Sequence, residues 1–546
     1  MSIISKLKQG RNNWKEKAVE RANTLRYLRK ENNRLKKERD QYKKELKEAK
    51  KLSENNSKQS MSPRSEKPEI VYLTLQMFVV ARISFQGIAR VLKVIGHHFG
   101  LIKTPCVQTI INWITRLSIA RTLYPEHLIE TIYPQTPTSS SNKNIAIIDI
   151  SATLGTGKIL TVLFLDARHH LLNQNVAPTL ADVNYVAVAV ADSWNGETVA
   201  DFLGKLIKTI GKPVAYLKDG GTELAKAVRL LEEDGSPCID DVSHKVANLL
   251  KHEYQNHPMF ETFISTCGLI SKQFKQTIFA SLIPPKTSTK SRFMNLHRLV
   301  KWAAKLLKHS PRGRARQDSV LAKLRTKLDQ MPLCKTFIKR FLRDANPLLE
   351  CQKILKTKGL NQSTYKECQK ILETIPPHST VRTGFTNWMA KHFLLAKDLN
   401  LDQTGILISS DIIESLFGTA KQLGTSEIKD VNRIALRIPA ICGKLTMDDA
   451  ISVLDISVKE QEEIVGSLPS LTKQRRKILP NPDHLDEVLT YDNQPNLVLI
   501  PAVEKRLKKR KNTNISIDCD KQLVPLTELK KPAKQCSELA LIGATA

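Results

Sequence analysis

Four residues of this 546-residue chain have the types and spacing for phosphate chemistry. Asp149 closes the apolar run NIAIIDIS (144–151), and Asp219 closes PVAYLKD (213–219). Both runs read as buried strands, so each acid stands at a strand end. If the strands are neighbours, the two carboxylates sit side by side and repel, and a divalent cation relieves the repulsion. The stretch SSDIIESLFGTAKQ (409–422) supplies the other two. Read as a helix, it puts Glu414 and Lys421 two turns apart on one face, beside an apolar stripe of Ile413, Leu416, Phe417 and Ala420. Three carboxylates are the minimum for holding two Mg²⁺ ions against a phosphodiester, and Mn²⁺ can substitute; hard oxygen donors do not favour zinc. Lys421 would then lie near the DNA phosphates. Asp166 and Asp192 also end strand-like runs and are read as structural. His244, just past the fifth strand, is an accessory candidate for contact with phosphate or a metal-bound water. Asp241 is read as its partner or as the cap of the helix that follows.

The elements that must position these residues follow a recognisable order. Strands are expected at 144–151, 158–167, 183–192, 213–219 and 237–243, with helices at 194–211, 220–235 and 244–255. Three strands that can pair antiparallel are thus followed by βαβ crossovers. That order predicts an α/β fold: an RNase H-like mixed sheet with flanking helices, its first part at 140–255. Residues 256–403 show helical periodicity throughout and read as an all-α insertion; residues 404–465 supply the last helices of the core. Trp302 and Trp388 in the insertion fit core positions better than base-stacking ones.

The ends of the chain point to a polyanionic partner. Lys and Arg exceed Asp and Glu by 31 charges, a surplus that fits nucleic acid. Residues 1–60 form a basic helix or coiled coil, with heptad positions at Leu25, Leu28, Asn32, Leu35, Arg39, Tyr42, Leu46 and Ala49. Residues 69–130 read as an α-helical DNA-binding domain of helix-turn-helix type, with Ser84 as a cap and Gly100 as a stop. There Lys103, Thr104, Gln108 and Asn112 would face DNA, while Ile110, Ile111, Ile114 and Leu117 pack inward. Residues 466–546 read as a basic, partly disordered tail. The nine cysteines form no CxxC pair, which argues against a zinc knuckle and for a reducing compartment. Without a signal-like or membrane-spanning apolar run, the expected location is the cytoplasm, in association with the nucleoid.

Taken together, these residues resemble a DDE transposase of a bacterial insertion sequence. The resemblance rests on Asp149 in IIDIS, Asp219 in YLKDGGTELAKAV, and Glu414 with Lys421 in SDIIESLFGTAK, an E-x₆-K spacing, and it spans roughly residues 140–425. One branch of the family has Tyr and Arg seven and four residues before the Glu; Leu407 and Ser410 stand there, so that branch is not implied. The resemblance implies that Asp149, Asp219 and Glu414 are the catalytic and metal-binding residues, with Mg²⁺ as cofactor. It implies transposon-end and target DNA as partners, and a homodimer or higher oligomer to pair two ends. The reaction would be cleavage at those ends and joining of their 3′-OH to the target. Two other readings stay open: an RNase H-like nuclease that cuts without joining, and a non-catalytic DNA-binding regulator derived from a transposase.

Overall fold

The computed structural model describes residues 14–41 (except 16, 27, 30 and 38), 66–96, 103–123, 144–152, 157–173, 176–232, 237–286, 292–308, 315–422, 430–466, 497–499 and 541–542. The chain divides into two compact units, Met1–Lys67 and Pro68–Ala546. In the first, the described residues of 14–41 are helical, and Trp14, Leu25, Leu28 and Leu35 are exposed. Heptad positions Tyr42, Leu46 and Ala49 lie outside the described residues.

The second unit is a mixed α/β fold built on one sheet. Its strands are β1 (Asn144–Ala152), β2 (Lys158–Asp166), β3 (Asn184–Ala191), β4 (Ala215–Lys218) and β5 (Cys238–Asp240), close to the boundaries read from sequence. They line up as β5-β4-β1-β2-β3. β1 pairs antiparallel with β2 and parallel with β4; β4 pairs parallel with β5, and β2 antiparallel with β3. Two short strands extend the β3 edge: β6 (Leu497–Leu499) and β7 (Leu541–Ile542). Both lie within the stretch read as a basic, partly disordered tail. Two or three residues are too few to show a strand's alternation in sequence.

Side-chain alternation sends β1 to two different layers. Ala146 and Ile148 face a layer built from Val199, Leu203 and Leu206 of the Gly196–Ile210 helix and Leu224 and Val228 of the Thr222–Glu232 helix. Ile145 and Ile147 face the other side, where most of the other helices of this unit gather in one large core.

That second core redraws the expected domain map. The helices Glu66–Val79, Phe85–Gly96 and Val107–Leu123 form as expected, and the Ser84 hydroxyl accepts from Gly87 N–H at 3.1 Å. The expected stop at Gly100 lies outside the described residues. Residues 69–130 are nevertheless not a separate body: Ile88, Ile110, Ile114 and Leu117 share one core with the sheet and with the Val431–Ile441 helix. Buried Arg121 fixes the join, donating to Asp449 at 2.8 and 3.0 Å and to the carbonyls of Pro439 and Ala440. The stretch 256–403 is helical as expected, yet it also joins this core. Trp388 is buried against Phe385 and His392, and Trp302 donates its indole N–H to Leu282 O at 2.9 Å. Among the described residues, no helix is long and apolar enough to cross a membrane.

Candidate active site

Strand direction assembles the first part of the site. The β1–β4 register runs from Ile145↔Ala215 to Ile148↔Lys218. Asp149 and Asp219 are each one residue further on, and both strands point the same way. The two acids therefore follow the last pair of the β1–β4 ladder on the same face, about 4.8 Å apart in the pairing direction. Each is held by a short backbone contact. Ile150 N–H donates to Asp149 Oδ1 at 2.7 Å, and Gly221 N–H donates to Asp219 Oδ1 at 2.8 Å. Glycine at 221 is what the second contact requires, because a Cβ there would lie 2.9 Å from that same oxygen.

Asp149 shares its face with Ile145 and Ile147, the face covered by the Asp411–Gln422 helix. Ile413, Leu416, Phe417 and Ala420 are buried beneath that helix, the apolar stripe read from sequence. Its C-terminal end lies over the end of β1: Lys421 Nζ donates to Ser151 Oγ at 2.7 Å. Glu414, on the same helix, is exposed and turned toward His244, with Oε1 and Nε2 3.3 Å apart. The site thus gathers Asp149, Asp219, Glu414, Lys421 and His244. Asp166 sits at the other end of the sheet, opposite Asn144, and is tied to Arg168 at 3.0 Å.

Charge couples the group. Burial pushes the Asp149 carboxyl up to about 7, the nearby Asp219 and Glu414 charges add to the shift, and the Ile150 N–H opposes it. The Glu414 hydrogen bond, against some burial and with help from Asp241 and Asp219, holds the His244 imidazole up at about 9. Burial lowers the Lys421 ammonium, and Asp149 opposes that shift.

A buried residue sets the relative position of two of these helices. Asp241 caps the Val242–Tyr254 helix through His244 N–H (2.8 Å), and its second oxygen accepts from Ser410 N–H at 2.6 Å. One carboxylate therefore fixes the start of the His244 helix and the start of the Glu414 helix together. The cap was legible in sequence; the second partner, 169 residues away, was not. Asp411 adds a tie to the helical insertion, pairing with Lys356 and accepting from Ser243 Oγ at 3.0 Å.

Among the described residues, no three His, Cys, Asp or Glu side chains stand in a ready-made metal-binding group. The chemistry of the donors nonetheless fits a hard divalent ion. Asp149 and Asp219 form an oxygen pair with unrelieved repulsion, and Glu414 is coupled to it by charge while bonded to His244.

The expected DNA-facing residues of the Val107–Leu123 helix are split. Lys103 and Gln108 are exposed. Asn112 instead faces the protein: its Oδ1 accepts from Gln108 at 2.9 Å and from Gln461 at 3.0 Å. Its partner belongs to the Val458–Gly466 helix, 349 residues on, beyond the reach of local pattern.

No protein-family model matches the chain, and no curated protein matches it. Among solved structures, the Drosophila P element transposase strand transfer complex is similar to this chain at 12% identity, with a TM-score of 0.36, over 75% of this chain and 99% of that chain.

Proposed function

We propose that this chain is a DNA transposase that cuts and joins DNA by in-line phosphoryl transfer at Asp149, Asp219 and Glu414. The observation that carries this reading is the pair of acids at neighbouring parallel strand ends, coupled by charge to Glu414 on the helix above. The strand order β5-β4-β1-β2-β3, with β2 alone running against its neighbours, fits an RNase H-like core. The surplus of 31 positive charges fits a DNA substrate. Pairing two ends calls for at least two copies of the chain, and the outward Leu25, Leu28 and Leu35 of the N-terminal helix suit that contact.

Asp149, Asp219 and Glu414 would hold Mg²⁺ or Mn²⁺, which supplies the charge that activates an attacking hydroxyl and stabilises a leaving oxygen. The chain's own groups do the rest. The Ile150 and Gly221 N–H groups fix the two aspartates before substrate arrives. Lys421, beyond the end of β1, orients a phosphate against them. His244 neutralises and aims Glu414 until the site fills. No covalent enzyme intermediate is required.

The test uses purified chain, Mg²⁺, and DNA carrying the sequences that flank the gene. The expected products are 3′-OH ends and their joining to plasmid DNA, both lost in Asp149→Ala. Cutting without joining would make the protein a nuclease; a wild type that leaves the DNA uncut would sink the enzymatic reading.

A further inference from the structure

The basic residues of the helical stretch 256–403 fall into two kinds. On the Lys335–Lys358 helix four of the seven are paired, Arg340 with Glu253, Arg343 with Asp344, Lys356 with Asp411 and Lys358 with Glu367, while Lys335, Lys339 and Lys353 are exposed and scattered along it. Along the Arg292–Leu307 helix and at the residue after it, four are not. Arg298, Lys301, Lys305 and Lys308 are all exposed, and their side chains make no ion pair or hydrogen bond with any described residue. Their spacing of three, four and three residues sets them on one stripe. The opposite face is buried through Leu296, Leu299, Val300, Ala303 and Leu306. His297, beside the stripe, is lowered by burial and then by Lys301 and Arg298.

The sequence around this helix sharpens the contrast. From Lys286 to Lys327 there are thirteen Lys or Arg residues and one acid, Asp318. A solvated helix face of ordinary composition mixes both signs and satisfies some of its charge at i, i+4. Here four cations repel one another, with no carboxylate among the described residues paired to them, an arrangement that a polyanion relieves. The stripe is about 15 Å long, close to the axial rise of roughly four successive phosphates on one DNA strand. The same helix packs on the Val242–Tyr254 helix, which carries His244, so ridge and acid site share a rigid element.

We infer that Arg298, Lys301, Lys305 and Lys308 form a phosphate-binding ridge for duplex DNA. The inference rests on the DNA-processing function proposed above and names a surface which that reading leaves unassigned. The ridge contributes to affinity through counterion release and carries no sequence information.

The test compares wild type with the fourfold variant Arg298→Gln, Lys301→Gln, Lys305→Gln, Lys308→Gln, as full-length chains. Fluorescence anisotropy with a random-sequence 40-base-pair duplex, a length of about 136 Å at 3.4 Å per pair, gives the affinity over a range of NaCl concentrations. The variant should melt at the wild-type temperature, because all four side chains are exposed. Its log K against log[salt] slope should be shallower by about 3 to 4, with affinity at 0.1 M salt lower by about 10³-fold. A companion Arg298→Lys variant should keep the wild-type slope. If wild type binds DNA with a steep slope and the fourfold variant matches it, the ridge assignment is wrong while the proposed function stands. If the slope changes only on an RNA hairpin or on anionic vesicles, duplex DNA is the wrong partner. If wild type binds no duplex at all, the proposed function falls with it.

Discussion

Two strand-end acids, Asp149 and Asp166, belong to paired strands and yet have opposite fates. Both close apolar runs of similar length and look alike in sequence. β1 and β2 run antiparallel, so their C-terminal ends point to opposite edges, and Asp166 lies across from Asn144 at the start of β1. There it turns to Arg168, two residues on, and forms an exposed pair. Asp149 has a parallel neighbour instead, and that neighbour ends in Asp219. Direction, not residue type, decides which acids can share an ion.

That contrast is open to attack from its strongest point to its weakest. Asp149→Ala or Asp219→Ala should lower single-turnover DNA cleavage in Mg²⁺ by on the order of 10³-fold or more, since each removes half of the strand-end pair. Residual cutting near the wild-type rate in either variant would place the chemistry elsewhere. Glu414→Gln should cost roughly 10²-fold or more, with the sheet acids left intact. An unchanged rate there would reduce Glu414 to a helix-surface residue. Asp241→Ala leaves two buried backbone N–H groups, those of His244 and Ser410, without their acceptor. Each should cost about 1–3 kcal/mol, read in denaturant unfolding, with Asp241→Asn losing less. Cleavage should fall along with stability, because the Glu414 helix loses its tether.

The acid pair also predicts how stability depends on pH. The folded Asp149 carboxyl is raised to about 7, above its unfolded value, so the folded chain holds the extra proton. Its contribution is therefore lost as pH rises through about 7. His244 is raised to about 9, so its contribution is present below its unfolded value and lost as pH rises through about 9. Melting temperature should fall between pH 6 and pH 9, and Asp149→Asn should remove the earlier part of the fall. A flat or rising profile would contradict the coupling. The smallest effect belongs to Asp166→Ala: an exposed ion pair is lost, stability should change by about 0.2–1 kcal/mol, and cleavage should be unchanged.

Much of this arrangement was legible because it is local. Strands buried on both faces read as continuous apolar runs, and β1 to β5 appear close to where those runs lie. The stripe Ile413, Leu416, Phe417 and Ala420 fixed which face of its helix goes down. What stayed hidden depends on distant partners. Nothing near Asn112 announces Gln461, nothing near Asp241 announces Ser410, and nothing near Arg121 announces Asp449. Each is a polar contact between segments far apart in sequence, with no periodicity of its own. The same blindness separated residues 69–130 from the sheet, although Ile88, Ile110, Ile114 and Leu117 share its core. The turn toward His244 that Glu414 takes was hidden for the same reason, although His244 itself stood out.

The separation of 195 positions between Asp219 and Glu414 also carries a consequence for synthesis. A ribosome releases β1 to β5 and both aspartates long before it reaches the last acid. A nascent or truncated chain ending before residue 404 carries two carboxylates of the site and lacks the third. Glu414 therefore joins the two aspartates late, after the helices on which its own helix leans have been made. A chain truncated between residues 309 and 413 would keep Arg298, Lys301, Lys305 and Lys308 and lack Glu414.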